Sequence, residues 1–195
     1  FDVEYYAHKL FEGIKPFEKE LYPEISGCNP MVYYWGKVAT CTNPSCGAKI
    51  PLLRQFYLSK RRGAPKKDWV YLNPIINGKD ISFEVKKGEC REEGWIGRAN
   101  LKCPCCGNMT EAKVLKKEFI SKMDSRRLLA VIYEKNGVRQ YEVPTSDYLS
   151  SVHVKYNTTK PTEPMPIEYT QALPSCTWGI SQWGDLLSDR QAFFI

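Results

Sequence analysis

Two short cysteine motifs carry the strongest chemical signal in the sequence. The first is Cys41-Thr42-Asn43-Pro44-Ser45-Cys46-Gly47, and the second is Cys103-Pro104-Cys105-Cys106-Gly107. Zinc prefers four soft ligands at tetrahedral angles, and two tight turns that each present two thiolates supply such a set. The glycine after each motif permits a positive φ, which lets backbone N–H groups point at the sulfurs. We therefore predict that Cys41, Cys46, Cys103 and Cys106 bind one zinc ion.

The second motif leaves one alternative open, because Cys103 and Cys105 could also form the ligand pair. The Cys-Pro-x-Cys-Gly form favours Cys106 as the fourth ligand, with Cys105 as a neighbouring packing residue. The remaining cysteines stand alone in the sequence, and single cysteines are most often small core hydrophobes. These single residues are Cys28, Cys90 and Cys176.

The expected zinc site is structural rather than catalytic. A catalytic zinc keeps an open coordination position and often has histidine among its ligands. The sequence contains two histidines, His8 and His153, and neither lies near a cysteine motif. No nucleophile elbow, phosphate loop, dinucleotide fingerprint or metalloprotease helix is present. We therefore expect neither catalytic nor cofactor-binding residues within the chain.

A basic segment after the first cysteine motif is the candidate contact to nucleic acid. Its cations fall in a stretch without acidic residues, and they are Arg54, Lys60, Arg61, Arg62, Lys66 and Lys67. Phe56, Tyr57 and Trp69 lie among or beside them, and phosphate neutralisation with aromatic stacking is the usual basis of nucleic-acid grooves. A solvated loop beside core aromatics is the equally weighted alternative. A second basic group, from Lys113 to Arg127, is diluted by acidic residues and is interpreted as solvated.

The composition is that of an ordinary globular domain. Of 195 residues, 43% are hydrophobic and 13% aromatic, so the chain can form a core without help from a metal. The net charge of +6 is compatible with a polyanionic partner. No window approaches the roughly 18 consecutive apolar residues of a membrane span, and no signal peptide is recognisable. We expect a cytoplasmic location, where paired cysteines are metal ligands rather than disulfides.

Helices and antiparallel hairpins are expected to position these motifs. Apolar residues at steps of three and four predict an amphipathic helix from Asp2 to Leu21, which Pro16 should kink or divide. Asn77-Gly78 and Asn136-Gly137 are typical of hairpin turns. β-Branched and aromatic segments predict strands at Met31–Trp35, Val38–Cys41, Ile50–Leu58, Trp69–Ile76, Ile81–Val85, Leu128–Tyr133 and Val138–Val143. This order places the first cysteine motif at the tip of a hairpin, and Trp95–Leu101 leads into the second.

The predicted class is α+β, a zinc ribbon elaborated with antiparallel β-hairpins. Residues 1–27 form the N-terminal helical segment and residues 28–143 the zinc-ribbon β domain with its inserted hairpins. Residues 144–195 contain a short helix, a proline-rich extended connection from Thr158 to Pro174, and the start of a further helix. Glu111–Lys122 has mixed signals and is compatible with helix or strand. Ser188-Asp189-Arg190-Gln191 has the form of a capping box.

Taken in order, several motifs resemble the zinc-ribbon-containing adenine-specific DNA methylases of prokaryotes. The resemblance is carried by residues 34–52, by Phe56-Tyr57-Leu58-Ser59-Lys60, by Cys103 to Gly107 and by Trp183-Gly184-Asp185-Leu186-Leu187-Ser188-Asp189-Arg190-Gln191. In that family the ribbon lies between an Asp-Pro-Phe-x-Gly-x-Gly type element for S-adenosylmethionine and an Asp-Pro-Pro-Tyr element at the target adenine. Neither element occurs here. Asp189 stands where family members often carry proline, and the stretch from Asn157 to Leu173 is peculiar to this chain.

The resemblance implies that the chain is the zinc-ribbon insertion of an S-adenosylmethionine-dependent DNA adenine-N6 methyltransferase. The implied partners are DNA and the methyltransferase core of the same polypeptide, and S-adenosylmethionine belongs to the parent protein only. Restriction–modification is one role that such a parent could serve. The apolar ending and the absence of an initial Met also indicate a piece of a longer polypeptide. The alternatives are a protein–protein scaffold without DNA contact and, more weakly, a free-standing nucleic-acid binder.

Overall fold

The computed structural model describes residues 2–122, 125–152, 158–166 and 178–194. Helix and antiparallel sheet are mixed in them, as the predicted α+β class requires. The helices are α1 (Asp2–Leu21), α2 (Ala112–Ser121), α3 (Ser146–Val152) and α4 (Asp189–Phe194). The strands are β1 (Pro30–Thr40), β2 (Lys49–Pro51), β3 (Tyr57–Ser59), β4 (Val70–Asn77), β5 (Asp80–Lys87), β6 (Ile96–Gly97), β7 (Asn100–Lys102), β8 (Met109–Thr110), β9 (Arg126–Lys135) and β10 (Val138–Glu142).

Three antiparallel sheets organise the strands. The largest has the order β10-β9-β1-β2, and its central pair joins β1 to β9 from Pro30–Tyr133 to Lys37–Arg126. The second sheet, β3-β4-β5, is built on a hairpin in which Asn77 pairs with Asp80. The third sheet, β6-β7-β8, is short and leads into and out of the second cysteine motif. Both Asn-Gly hairpins predicted from the sequence are present.

Two hydrophobic clusters hold these sheets together. The larger one includes buried residues of all three sheets and of α2, among them Ile50, Leu72, Leu101 and Leu115. Three of the motif cysteines are themselves members of this cluster. The smaller cluster lies on the β9 side, where Leu128, Val131 and Tyr133 pack with Ile25 and Val152. The cysteine motifs are therefore part of the main core rather than an appendage to it.

Helix α1 matches its predicted bounds but does not bury its apolar residues. The helix continues through Pro16 without interruption, so the predicted division does not occur. Only Leu21 is buried, while the side chains of Val3, Leu10 and Phe11 are 84%, 66% and 74% exposed. Within the described ranges, no helix combines the length and the apolar character that crossing a membrane requires.

Several local expectations are refined by the structure. The mixed segment after the second cysteine motif is helical, as α2. The predicted strand Ile50–Leu58 is divided into β2 and β3, and Trp95–Leu101 is a tight hairpin because Arg98 and Ala99 adopt positive φ. Ser188 and Gln191 form both hydrogen bonds of the predicted capping box, at 2.9 and 3.3 Å.

Some sequence predictions fall outside the described residues. These positions are Phe1, His153, residues 167–174 of the proline-rich segment, Cys176 and Ile195. Residues 158–166 of that segment are described and contain neither helix nor strand, apart from an isolated bridge between Pro164 and Gln182. This part agrees with the predicted extended connection. Because Gly184 approaches the Pro161 carbonyl closely, the segment lies against the turn that precedes α4.

Candidate metal centre

Two hairpin tips carry the four motif cysteines. Strand β1 ends at Thr40 and β2 begins at Lys49, and these two residues pair directly. The Cys41 N–H then donates to the Ala48 carbonyl at 2.9 Å, which closes the first loop. The second loop is closed in the same way, since the Cys103 N–H donates to the Asn108 carbonyl at 2.8 Å. Each loop therefore connects two antiparallel strands that pair with each other, β1 with β2 and β7 with β8. The cysteines lie at the tip of each hairpin.

The four sulfur atoms lie together in one compact group. The Sγ atoms of Cys41, Cys46, Cys103 and Cys106 are all within 4.8 Å of one another. The Cys41–Cys106 sulfurs are 3.6 Å apart and the Cys46–Cys103 sulfurs 3.8 Å apart. A tetrahedral zinc with Zn–S bonds of about 2.3 Å would place its sulfurs about 3.8 Å from one another. The cluster can therefore hold a metal ion, and its donor set fits zinc.

Glycine completes each turn by adopting a positive φ. The φ angles are 60° at Gly47 and 75° at Gly107, a region that side chains other than glycine rarely occupy. In the first turn the Asn43 carbonyl accepts N–H bonds from Cys46 and Gly47, both at 3.0 Å. In the second turn the Gly107 N–H donates to the Cys103 carbonyl at 2.9 Å. The backbone geometry expected from the Cys-Gly sequences is thus present in both loops.

Polar side chains join the two loops to each other. Thr42 and Thr110 approach with their hydroxyl oxygens 3.1 Å apart, and the Asn108 amide donates to the Thr42 hydroxyl at 2.8 Å. Both carboxylate oxygens of Glu118 accept the Thr40 N–H, at 3.0 and 3.2 Å. Helix α2 thereby anchors the strand end directly before the first cysteine. The sequence analysis did not identify these residues; Thr42, Asn108 and Thr110 lie in or beside the motifs, whereas Glu118 carries no local signal.

Burial divides the four thiols into two kinds. Cys41, Cys46 and Cys103 are buried, whereas Cys106 is exposed. In the metal-free chain, burial raises the pKa of the Cys41 thiol to about 12 and also raises the pKa of Cys103. The Asn108 N–H lowers the pKa of Cys106 to about 7. One thiol is thus readily ionised at neutral pH, while Cys41 and Cys103 retain their protons until a cation replaces them.

Cys105 lies beside the cluster without belonging to it. The compact group of sulfurs contains Cys106 and not Cys105, in agreement with the preference for the Cys-Pro-x-Cys-Gly pairing. Cys105 is half-buried and packs against the main core, and burial raises the pKa of its thiol to about 11. A metal bound by the other four cysteines would have four sulfur ligands and no position left for water. Such a centre supports structure rather than hydrolysis.

The predicted basic segment is exposed but only partly available for a partner. All six cations, from Arg54 to Lys67, have exposed side chains. Lys60 lies over the rings of Tyr57 and Trp69, with its Nζ 4.7 and 4.5 Å from their centroids. Lys66 forms an ion pair of 2.6 Å with Glu89, an acidic residue that is distant in sequence. The segment contains no acidic residue in its sequence, but the fold places Glu89 next to one of its lysines.

The neighbouring aromatic residues have separate roles. Phe56 is buried in the main core, in edge contact with Trp95 at a centroid distance of 5.2 Å, so it cannot stack on a base. Tyr57 and Trp69 are half-buried and perpendicular, with centroids 5.5 Å apart. The six cations also occupy two loops, with Arg54 after β2 and the others between β3 and β4. Their contact to DNA stays a prediction.

The chain was compared with family models, curated proteins and solved structures. None of the three comparisons finds a match. A functional assignment therefore depends on the geometry of the cysteine cluster and on the motifs read from the sequence.

Proposed function

We propose that the chain binds one structural zinc ion through Cys41, Cys46, Cys103 and Cys106, in the manner of a zinc ribbon. The observation that carries this proposal is the grouping of four sulfur atoms on two facing hairpin tips, all within 4.8 Å of one another. Thiolates are the ligands that zinc prefers in such closed sites. The cytoplasm is the expected location, because thiols stay reduced there.

The proposed wider role is that of a zinc-ribbon insertion in an S-adenosylmethionine-dependent DNA adenine-N6 methyltransferase. The support comes from the order of the sequence motifs, from residues 34–52 through the second cysteine motif to the segment Trp183–Gln191. In the parent protein, the methyl group would pass from S-adenosylmethionine to an adenine flipped from the duplex. The residues of this chain would take part by engaging DNA or by positioning the neighbouring domains.

Zinc content tests the metal proposal. The purified chain should contain about one zinc per molecule, and Cys41→Ser should lose it because a three-sulfur site binds the ion far more weakly. Cys28→Ser is the matched control, since Cys28 is half-buried against the smaller core cluster and lies apart from the sulfur group. The control should retain the metal. A folded chain without zinc would overturn the proposal.

Duplex binding tests the engagement of DNA. Affinity measured by fluorescence anisotropy should fall with salt, because neutralised phosphates release counterions. The triple charge reversal K60E/R61E/R62E should weaken binding, whereas K9E/K15E/K19E makes the same change in charge on exposed positions of α1 and should not. Binding that is independent of salt, or that survives the reversal at residues 60–62, would remove the basic segment from the proposed interface.

The exposed face of α1 favours a second candidate, a scaffold that joins the chain to a partner protein. A helix with Val3, Leu10 and Phe11 largely exposed leaves apolar surface that a neighbouring domain would bury. The methyltransferase core of the parent is the partner that this candidate requires. Association of the two purified parts should be abolished by Leu10→Glu and unaffected by K60E/R61E/R62E. The opposite pattern would favour the DNA role alone.

A further inference from the structure

A solvent-open cleft lies where the first cysteine loop meets the turn of the β4–β5 hairpin. It has a volume of about 430 Å³. Its lining includes Gly47, Ala48 and Lys49 from the first cysteine loop and the start of β2, and Lys79, Asp80 and Ile81 from the β4–β5 turn and β5. Arg127, near the start of β9, completes the lining. The cleft therefore joins three elements that lie far apart in sequence, and the metal loop forms part of its wall.

The charges that line the cleft are mostly positive. Lys49, Lys79 and Arg127 contribute three cations, and Asp80 contributes the single carboxylate. Within the described part of the chain, no ion pair joins any of the three cations to a carboxylate. Lys49 instead donates to the Thr40 hydroxyl at 2.8 Å. Among the described residues, the cleft thus has an excess of positive charge that ion pairs do not neutralise.

Arg127 is held in position before any ligand arrives. Its Nη1 donates to the Ile81 carbonyl at 2.6 Å, and its guanidinium carbon lies 5.8 Å from the centroid of the Phe83 ring. The side chain is half-buried, and this burial lowers the pKa of Arg127 from its usual value. A guanidinium that is partly removed from water, with no carboxylate partner among the residues the structure describes, gains from an incoming oxyanion. Its fixed orientation also reduces the entropy lost on binding.

We propose that this cleft binds a phosphate group of the DNA backbone, with Lys49, Lys79 and Arg127 as its cationic ligands. The inference rests on the proposed engagement of DNA and adds to it a contact site that adjoins the metal loop. Two lysines on flexible stems and one oriented guanidinium form the mixture of ligands that backbone phosphates commonly meet. The open shape of the cleft suits a phosphate that stays attached to a polymer.

The position of the cleft is compatible with a second contact on the same duplex. The predicted basic segment precedes β4, whereas Lys79 lies in the turn after it. Strand β4 has eight residues, which corresponds to about 25 Å between its ends. Phosphates follow one another every ~3.4 Å along each strand of a duplex, so this distance corresponds to about seven base pairs. A duplex of moderate length can therefore reach both ends of the hairpin.

The test is duplex affinity as a function of salt, measured on the zinc-loaded chain with a fluorescent duplex of ~16 base pairs. The variant K49Q/K79Q should bind about tenfold more weakly, and its slope of log K against log salt should be smaller by about one, as for one lost phosphate contact. The control K15Q/K135Q makes the same change in charge at exposed positions outside the cleft. It should leave the slope unchanged. Zinc content and melting temperature verify that each variant is folded.

The outcomes separate this inference from the function on which it rests. If the wild type binds the duplex and K49Q/K79Q behaves like the control, the cleft is not a contact site and DNA engagement stands. If the wild type does not bind, the DNA proposal fails and the inference fails with it. A titration with inorganic phosphate, followed by the amide NMR signals of the chain, is the last experiment. If the chemical shifts of Gly47 and Lys79 reach saturation at micromolar phosphate, the cleft is a site for free phosphate, and the assignment to DNA is overturned.

Discussion

At the scale of residues, the cysteine site shows what short motifs encode. Spacing and the following glycines were sufficient to select Cys106 over Cys105 as the fourth member of the group. The supporting contacts were not predictable, because Glu118 reaches Thr40 from a helix whose place in the fold depends on long-range packing. The same is true of Lys49, Lys79 and Arg127, which share a cleft only after three elements have assembled.

The choice between the two adjacent cysteines can be tested directly. Cys106→Ser removes a sulfur from the group and should lower zinc affinity by at least tenfold, as measured by competition with a chelator. Cys105→Ser should retain the affinity of the wild type, because its sulfur is not among the four. Equal losses in the two variants would contradict the assignment.

Zinc affinity should depend steeply on pH. Zinc binds thiolates, whereas burial keeps the Cys41 and Cys103 thiols protonated at neutral pH in the metal-free chain. Binding must therefore release at least two protons, and the apparent affinity should rise with pH by at least ~100-fold per unit between pH 6 and 8. Calorimetry in two buffers of different ionisation enthalpy measures the number released. An affinity that is flat over this range would refute the thiolate site.

At the scale of elements, local signals were reliable where the turn chemistry was explicit. Both Asn-Gly turns fixed their hairpins, and the predicted capping residues begin α4 as expected. The hairpin of β6 and β7 was missed, because Arg98 and Ala99 adopt positive φ without the usual glycine or asparagine. Gly94 lies where two chain segments approach each other closely, and no local sequence pattern indicated that contact.

Gly94 should be intolerant of any side chain. A Cβ atom there would lie 2.1 Å from both the carbonyl carbon and the oxygen of Arg54, so backbone would have to move. Gly94→Ala should therefore lower the free energy of unfolding by about 2–3 kcal/mol in chemical denaturation. Gly13 is the control, because nothing lies within 4 Å of an added Cβ in the middle of α1. Gly13→Ala should stabilise the chain by about 0.5–1 kcal/mol. If the free energy of unfolding changed in the same direction in both variants, the close contact at Gly94 would not be the cause.

At the scale of the whole molecule, the arrangement of the sheets could not be read from the sequence. The pairing of β1 with β9 joins segments separated by about half of the chain, and local propensity does not encode such a contact. The periodicity of α1 predicted an apolar face but not where that face would lie, and it is largely exposed. Three of the four cysteines, by contrast, are buried in the main cluster and Cys106 lies at its surface, so the metal should stabilise the core beside it.

Removal of zinc should therefore loosen one part of the molecule before the other. After chelation, hydrogen exchange should accelerate in residues 41–48 and 103–110, whose loops are ordered around the sulfur group. Amides of β9 and β10 should stay protected longer, because the smaller cluster of Leu128, Val131 and Tyr133 contains none of the four cysteines. Exchange that is unchanged everywhere, or that accelerates equally in both regions, would contradict this division.

The most direct test of the central claim is X-ray absorption at the zinc edge on the purified chain. We expect one zinc per chain surrounded by four sulfur atoms at about 2.3 Å, with no nitrogen or oxygen neighbour. A coordination shell with fewer than four sulfurs, or a folded chain that contains no zinc, would contradict it.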